Sequence, residues 1–256
     1  MYNRFSQFFY NQFKKNEAKI HELTYLFWEC TQRCNLQCQH CGSDCTGYSG
    51  NPDMPFDDFF KAILPVKDVY KPEKITVVIT GGEPLLHRDI FRGGKILREH
   101  GFHWGIVTNG FEYTPDVHAK LLKAGMETLT ISLDGFEDAH NWLRQNNKSF
   151  KNAIRALGLI TACDELIYDV VTCVNRKNIR ELPELRDFLI SKNVKAWRLF
   201  TIAPIGRAVD NDNLHLNGEE ITFLMDFIAR SRGDKRMSTQ FSCEAYTGKY
   251  EGAVRD

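Results

Sequence analysis

Hydrophobic positions along the chain follow two rhythms that take turns. Short runs rich in β-branched and aromatic residues predict strands at Thr24–Glu29 (TYLFWE), Lys74–Thr80 (KITVVIT), Phe102–Thr108 (FHWGIVT), Glu127–Leu133 (ETLTISL), Leu166–Val174 (LIYDVVTCV) and Lys195–Ile202 (KAWRLFTI). Between and after them apolar residues return at helical spacing. This predicts helices from Pro55 or Phe56 to about Tyr70, then at Arg88–His100, Pro115–Ala124, Ser149–Ala162, Ile179–Lys192 and Asn217–Arg232. Asp57 and Asp58 suit the positive end of a helix and Pro115 suits a first helical turn, whereas Pro65 is expected to kink or divide its helix. Six strand–helix units in alternation predict an α/β fold with a parallel sheet and helices outside. The rhythm alone does not separate an open doubly wound sheet from a barrel-like one.

Ahead of the first strand, Phe5, Phe8, Phe9 and Phe13 fall at helical spacing and predict a short amphipathic helix packed on the body, within an N-terminal segment 1–23. The stretch is broken by Asn3, Gln7, Asn11 and Gln12, so it does not read as an export signal. No apolar run reaches the roughly 18 residues of a membrane-spanning helix. Lys+Arg and Asp+Glu both number 33, so no global basic field favours nucleic acid. The expectation is a cytoplasmic chain without membrane or nucleic-acid partners.

That compartment changes the meaning of the cysteines. Five of the eight lie between residues 30 and 45, and in a reducing compartment such a cluster points to metal or redox chemistry more than to disulfides. Cys34, Cys38 and Cys41 have the spacing C-x3-C-x2-C. Three thiolates from one loop can hold three irons of a [4Fe–4S] cube and leave the fourth open to a small molecule. A structural zinc site would need four ligands, usually as two separated pairs. A ferredoxin-like carrier would need a fourth thiolate, which Cys30 or Cys45 could supply, so these readings stay open on the loop alone.

Following a predicted first strand, this loop resembles the signature of the radical S-adenosylmethionine superfamily. The resemblance implies a partial (β/α)6 TIM-like barrel carrying a [4Fe–4S] cluster on Cys34, Cys38 and Cys41. It also implies reductive cleavage of S-adenosylmethionine bound at the open iron, yielding a 5′-deoxyadenosyl radical that abstracts hydrogen from substrate. Thr80-Gly81-Gly82-Glu83-Pro84 is similar to the family's GGEP element, which implies that the backbone and the Glu83 carboxylate receive the methionine amino group. Thr108-Asn109-Gly110 and Ser132-Leu133-Asp134-Gly135 end the third and fourth strands, the edge where parallel α/β folds place their sites. In the maturase branch the serine of such an SLDG segment contacts the cofactor and an arginine twelve residues later pairs with its carboxylate; here these are Ser132 and Arg144. Asp134 is left between bonding a ribose hydroxyl and shaping its turn, and His140 is read as structural. His40 stands where the family usually has an aromatic residue against the adenine, and Ile205, in a sixth-strand end running to Arg207, is expected to cover it. Val171–Asn175 resembles the fifth-strand stretch near the adenine. Cys30, Cys163 and Cys173 read as buried small hydrophobes, and Cys45 is undecided.

The stretch from Gln240 through Cys243 to Gly248 resembles the start of a SPASM-type auxiliary extension, here without its other cysteines, so a piece of a longer enzyme is expected. The resulting division is an N-terminal segment 1–23, a core barrel 24–235 and an incomplete extension 236–256. The resemblance implies an enzyme that modifies a peptide or protein side chain and draws electrons from a flavodoxin or ferredoxin type of donor. The alternatives are a cofactor-biosynthesis enzyme acting on a small molecule, or an iron–sulfur electron carrier without catalysis.

Overall fold

The computed structural model describes residues 4–17, 19, 22–243 and 247–254; the other positions of the expected segments 1–23 and 236–256 lie outside the described residues. Strands β1 (Tyr25–Thr31), β2 (Thr76–Gly81), β3 (His103–Thr108), β4 (Thr128–Ser132), β5 (Ile167–Val174), β6 (Ala196–Thr201) and β7 (Ser238–Phe241) form one sheet. All neighbours are parallel, and the order across the sheet is the order along the chain. Right-handed crossovers that always advance in one direction return along one face of the sheet. A doubly wound sheet needs a reversal of strand order, and this sheet has none. The architecture is therefore the singly wound, TIM-like alternative, left partial because β1 and β7 are its two edges.

The helices are α1 (Arg4–Glu17), α2 (Phe56–Ile63), α3 (Ile90–Glu99), α4 (Pro115–Lys123), α5 (Glu137–Arg144), α6 (Ser149–Thr161), α7 (Leu182–Ser191) and α8 (Gly218–Ser231). Alternate residues of each strand face the core: Trp28, Ile79, Ile106 and Leu129 pair in register, as do Ile131, Val170 and Trp197. Removing each such side chain from water is worth roughly 1.5–3 kcal/mol. Helix α3 approaches β3 through Gly94 and helix α2 through Gly93. A Cβ on Gly94 would lie 2.1 Å from the Trp104 ring and one on Gly93 2.5 Å from Phe56, so the helical cost of glycine is exchanged for aromatic packing.

The first six strands lie within two residues of their predicted bounds. Pro65 does divide its helix: α2 stops at Ile63 and a tight turn spans Leu64–Asp68. Two elements differ from expectation. Helix α5 forms inside the SLDGFEDAHNWLR motif and ends at Gln145 in the left-handed region, φ 54°. The strand count is seven, not six, because Ser238–Phe241 pairs with β6. Within 236–256, Ser238–Phe241 thus continues the core sheet, and 253–254 pack back on it, with Phe241 N–H donating to the Val254 carbonyl at 2.6 Å and Ala253 and Val254 buried.

The N-terminal helix forms; the Phe5 side chain lies outside the described residues, and the expected packing is not seen for the other three phenylalanines. Phe8, Phe9 and Phe13 are each more than half exposed and stand outside the core. Adjacent Phe8 and Phe9 turn about 100° apart on a helix, and they contact each other edge-on at 5.9 Å. Among the described residues no helix is long and apolar enough to cross a membrane.

Candidate active site

The cysteine loop leaves the C-terminal end of β1 and is tied down at its base. Cys34 N–H donates to the Thr46 carbonyl at 2.7 Å, and Arg33 bridges the Asp53 carboxylate (2.5 Å) and the Leu86 carbonyl (2.8 Å). Thr31 donates its hydroxyl to the same Asp53 at 2.5 Å. The loop folds over a recess of about 160 Å³ at the strand ends, where Cys34, Cys38, Cys41 and Cys45 all face the same space. Cys30, by contrast, is buried in the apolar core beside Trp28, and burial pushes its thiol up to about 12.

The glycines after β2 answer a close approach of backbone to backbone. Gly81 has φ +127°, and a Cβ there would lie 2.4 Å from the Thr31 carbonyl; on Gly82 it would lie 2.1 Å from that of Arg33. Gly82 N–H and Glu83 N–H donate to those same two carbonyls at 2.7 and 2.9 Å. The GGEP turn is therefore welded to the cysteine loop. Glu83 is completely buried. Its Oε1 accepts from the Thr108 hydroxyl at 2.8 Å and Leu85 N–H at 3.2 Å, and its Oε2 from Asn109 N–H at 2.9 Å. Burial raises its carboxyl to about 7 against the pull of those donors. Asn109 in turn donates to the Asn35 side chain at 2.8 Å and lies 3.9 Å from Cys34 Sγ.

The fourth strand end carries a buried charge pair. Asp134 accepts from Arg144 Nε at 2.6 Å and from Cys173 N–H at 2.8 Å. Burial alone would raise its carboxyl, but the Arg144 guanidinium, helped by His40 and His140, holds it down at about 2. Arg144 Nη1 points to Cys38 Sγ at 3.8 Å. His140 Nδ1 accepts from Asp134 N–H at 3.0 Å, so the ring proton sits on Nε2 and faces the Ser149 hydroxyl at 3.0 Å. Burial lowers His140 to about 4. It stays neutral, and its 3.7 Å approach to the Asp134 carboxylate is not an ion pair at neutral pH. The structural reading of His140 agrees with this geometry.

Of the residues singled out from sequence, His40, Gly81, Gly82, Thr108, Asn109, Ser132 and Arg144 line the recess with Cys34, Cys38 and Cys41. Glu83, Pro84 and Asp134 lie buried behind it, the two carboxylates spent on internal partners. Ile205 is 58% exposed at the rim, where its Cδ1 lies 3.0 Å from where a Gly42 Cβ would be. Val171–Asn175 does not reach the recess; Cys173 and Asn175 bond around Asp134 and Asn178 instead. Leu36, Cys45, Val107 and Arg207 also line it. Cys45 carried a signal in its spacing; Arg207 carried little, because its partners lie more than 160 residues away.

The donor set fits an iron–sulfur cluster, because four thiols face the recess: those of Cys34, Cys38, Cys41 and Cys45. Among the described residues no three His, Cys, Asp or Glu side chains converge on a point as ligands of a single ion; the corners of a cube are spread more widely. Burial pushes the Cys34 thiol up to about 11 and raises Cys38 too, the latter against the Arg144 charge, so a cation in the recess is needed to favour thiolates. His40 Nδ1 is buried with no protein partner, a polar atom left for a ligand in the same space.

Residues 28–189 match the model of the radical SAM superfamily. The chain is 27% identical over 188 residues to an AdoMet-dependent heme synthase of Methanosarcina barkeri, covering 73% of this chain and 53% of that protein. It is 29% identical over 211 residues to the mycofactocin maturase MftC of Mycolicibacterium smegmatis, covering 82% and 52%. The chain thus spans about half the length of the curated relatives it matches. The crystal structure of Streptococcus suis SuiB bound to S-adenosylmethionine shares the fold, with a TM-score of 0.67 at 16% identity over 91% of this chain and 53% of that one. With the match spanning the cysteine loop, the GGEP turn and the SLDG strand end, this chain belongs to the radical SAM superfamily, whose cofactors are a [4Fe–4S] cluster and S-adenosylmethionine.

Proposed function

We propose that this chain uses S-adenosylmethionine to modify a peptide or protein side chain, with Cys34, Cys38 and Cys41 as the cluster ligands. When bound, the cofactors supply one electron and a 5′-deoxyadenosyl radical that abstracts hydrogen. The chain's own residues bind, orient and shield. The Gly81-Gly82 backbone and Asn109, which line the recess, would receive the methionine end, and Arg144, held through Nε by Asp134, would bind the carboxylate with its outer nitrogens. His40, whose Nδ1 is buried without a protein partner, and Ile205 would serve the adenine side.

The observation that carries the peptide reading is the open face of the sheet. Thr80 lines the recess, and its register partner on edge strand β1 is Glu29; two and four residues earlier on that face stand Phe27, 68% exposed, and Tyr25, 61% exposed. Among the described residues β1 pairs on one side only, and such an edge with exposed aromatics beside the recess suits an extended chain, which adds backbone hydrogen bonds and seats alternate side chains. Among the sequence relatives, MftC is a maturase. The heme synthases among them favour a second reading, a small-molecule substrate in cofactor biosynthesis. In either case a one-electron donor of flavodoxin or ferredoxin type is required.

The test is anaerobic chromatography of 5′-deoxyadenosine under dithionite, with precursor peptides and with iron porphyrins in parallel. Slow release without substrate, accelerated and coupled to peptide mass change, is the expected result. Coupling to the porphyrin alone would transfer the assignment to the second reading. An intact cluster with no 5′-deoxyadenosine under any condition would leave an electron carrier.

A further inference from the structure

We propose that Arg207 is the positioning residue that shapes the cysteine loop around its cluster, and that its charge raises the reduction potential of that cluster. The inference rests on the ligand assignment proposed above. Arg207 lies just after β6, at the far side of the recess from the GGEP turn. Its Nε donates to the Cys38 carbonyl at 2.8 Å, its Nη1 to the Cys45 carbonyl at 2.9 Å, and its backbone N–H to the Cys41 carbonyl at 3.1 Å. One residue therefore holds the backbone of two of the three assigned ligands and of the fourth thiol in the recess.

The neighbouring geometry is built around this grip. Gly206 has φ +56°, and a Cβ there would lie 2.4 Å from both the Cys41 and Gly42 carbonyls, so the loop and this turn are in backbone contact. Asp44 is one of three described non-glycine residues at positive φ (49°). Just beyond it, Cys45 N–H donates to Cys41 Sγ at 3.4 Å. Fixing the Cys45 carbonyl thus fixes a donor to a ligand sulfur.

The plainer alternative is a surface ion pair between Arg207 and Asp44 at 2.7 Å, since Asp44 is 68% exposed. Such pairs contribute little. The two carbonyl bonds are different: they come from a side chain only 22% exposed and reach loop oxygens that lie across the fold. A guanidinium lining the recess also faces the thiolates, and nearby positive charge favours the more negative, reduced cluster. Only a planar fork can satisfy this set of acceptors.

Arg207→Met and Arg207→Lys are compared with the wild type after anaerobic reconstitution. The readouts are iron and sulfide per chain, the rate of iron release to a chelator, and the midpoint potential by EPR-monitored titration, with circular dichroism as the control for folding. Arg207→Met is expected to release iron about tenfold faster, as loss of charge-assisted bonds implies, and to shift the potential to more negative values. Arg207→Lys is expected to keep the potential and still release iron quickly. Wild-type release and potential in Arg207→Met would overturn the inference. Should that variant fail to fold, Arg207→Lys decides, because slow release from it is the overturning result. A wild-type protein that binds no iron, or a Cys38→Ala variant that keeps its full cluster, would instead sink the ligand assignment and is read separately.

Discussion

Asp134 illustrates how a residue can matter to a site without facing it. Both of its oxygens are committed, one to Cys173 N–H and one to Arg144 Nε, and the guanidinium so held is what reaches the recess. Asp134→Asn leaves a buried arginine without its counter-charge, which costs on the order of 3–5 kcal/mol; urea titration checks this. Arg144→Lys should weaken S-adenosylmethionine binding while iron content stays normal, as equilibrium dialysis and iron analysis would show. His140 makes a pH prediction with a definite sign. Its folded pKa of about 4 lies below the usual 6.5, so the unfolded chain takes up the proton more readily. The stability from its neutral ring is complete above about pH 6.5 and is lost as pH falls toward 4, by roughly 3 kcal/mol at about 1.4 kcal/mol per unit. A denaturant midpoint that falls as steeply in His140→Gln as in the wild type would refute this.

At the scale of elements, six strands were readable because each is a β-branched or aromatic run between turn residues, and buried parallel strands leave that imprint. The two missed elements are short. Helix α5 has eight residues inside a stretch dominated by motif polarity, and β7 has four, too few for a period to emerge. The same limit governs the site: residues in local motifs were legible, whereas contacts made only by the folded sheet, such as Arg207 on Cys38 and Asp53 on Arg33, were not. The glycines show a shift of meaning. In sequence Gly81 and Gly82 belong to a turn whose backbone is expected to receive the methionine amino group, and the structure adds that they make room for the cysteine loop itself. Gly82→Ala, with its Cβ 2.1 Å from the Arg33 carbonyl, should therefore reduce iron per chain while leaving secondary structure intact by circular dichroism. On helix α3, Gly94→Ala should lower stability by roughly 1–3 kcal/mol, the usual cost of overpacking, because the Trp104 ring of β3 occupies the space its methyl would need.

At the scale of the whole molecule, sheet order equal to chain order means that the site is contributed in sequence, clockwork fashion. The cysteine loop comes first, the GGEP turn next, then the third and fourth strand ends, and Arg207 last. The contact from Arg207 to Cys38 spans 169 residues. During synthesis the thiols therefore leave the ribosome long before the group that shapes them exists. At about 5–20 residues per second the gap is on the order of 10–30 s, during which the cysteines are open to oxidants and stray metals. Cluster loading thus belongs after the sixth strand has emerged and docked, and a stalled nascent chain ending before Gly206 should hold iron less well than one stalled well beyond Arg207.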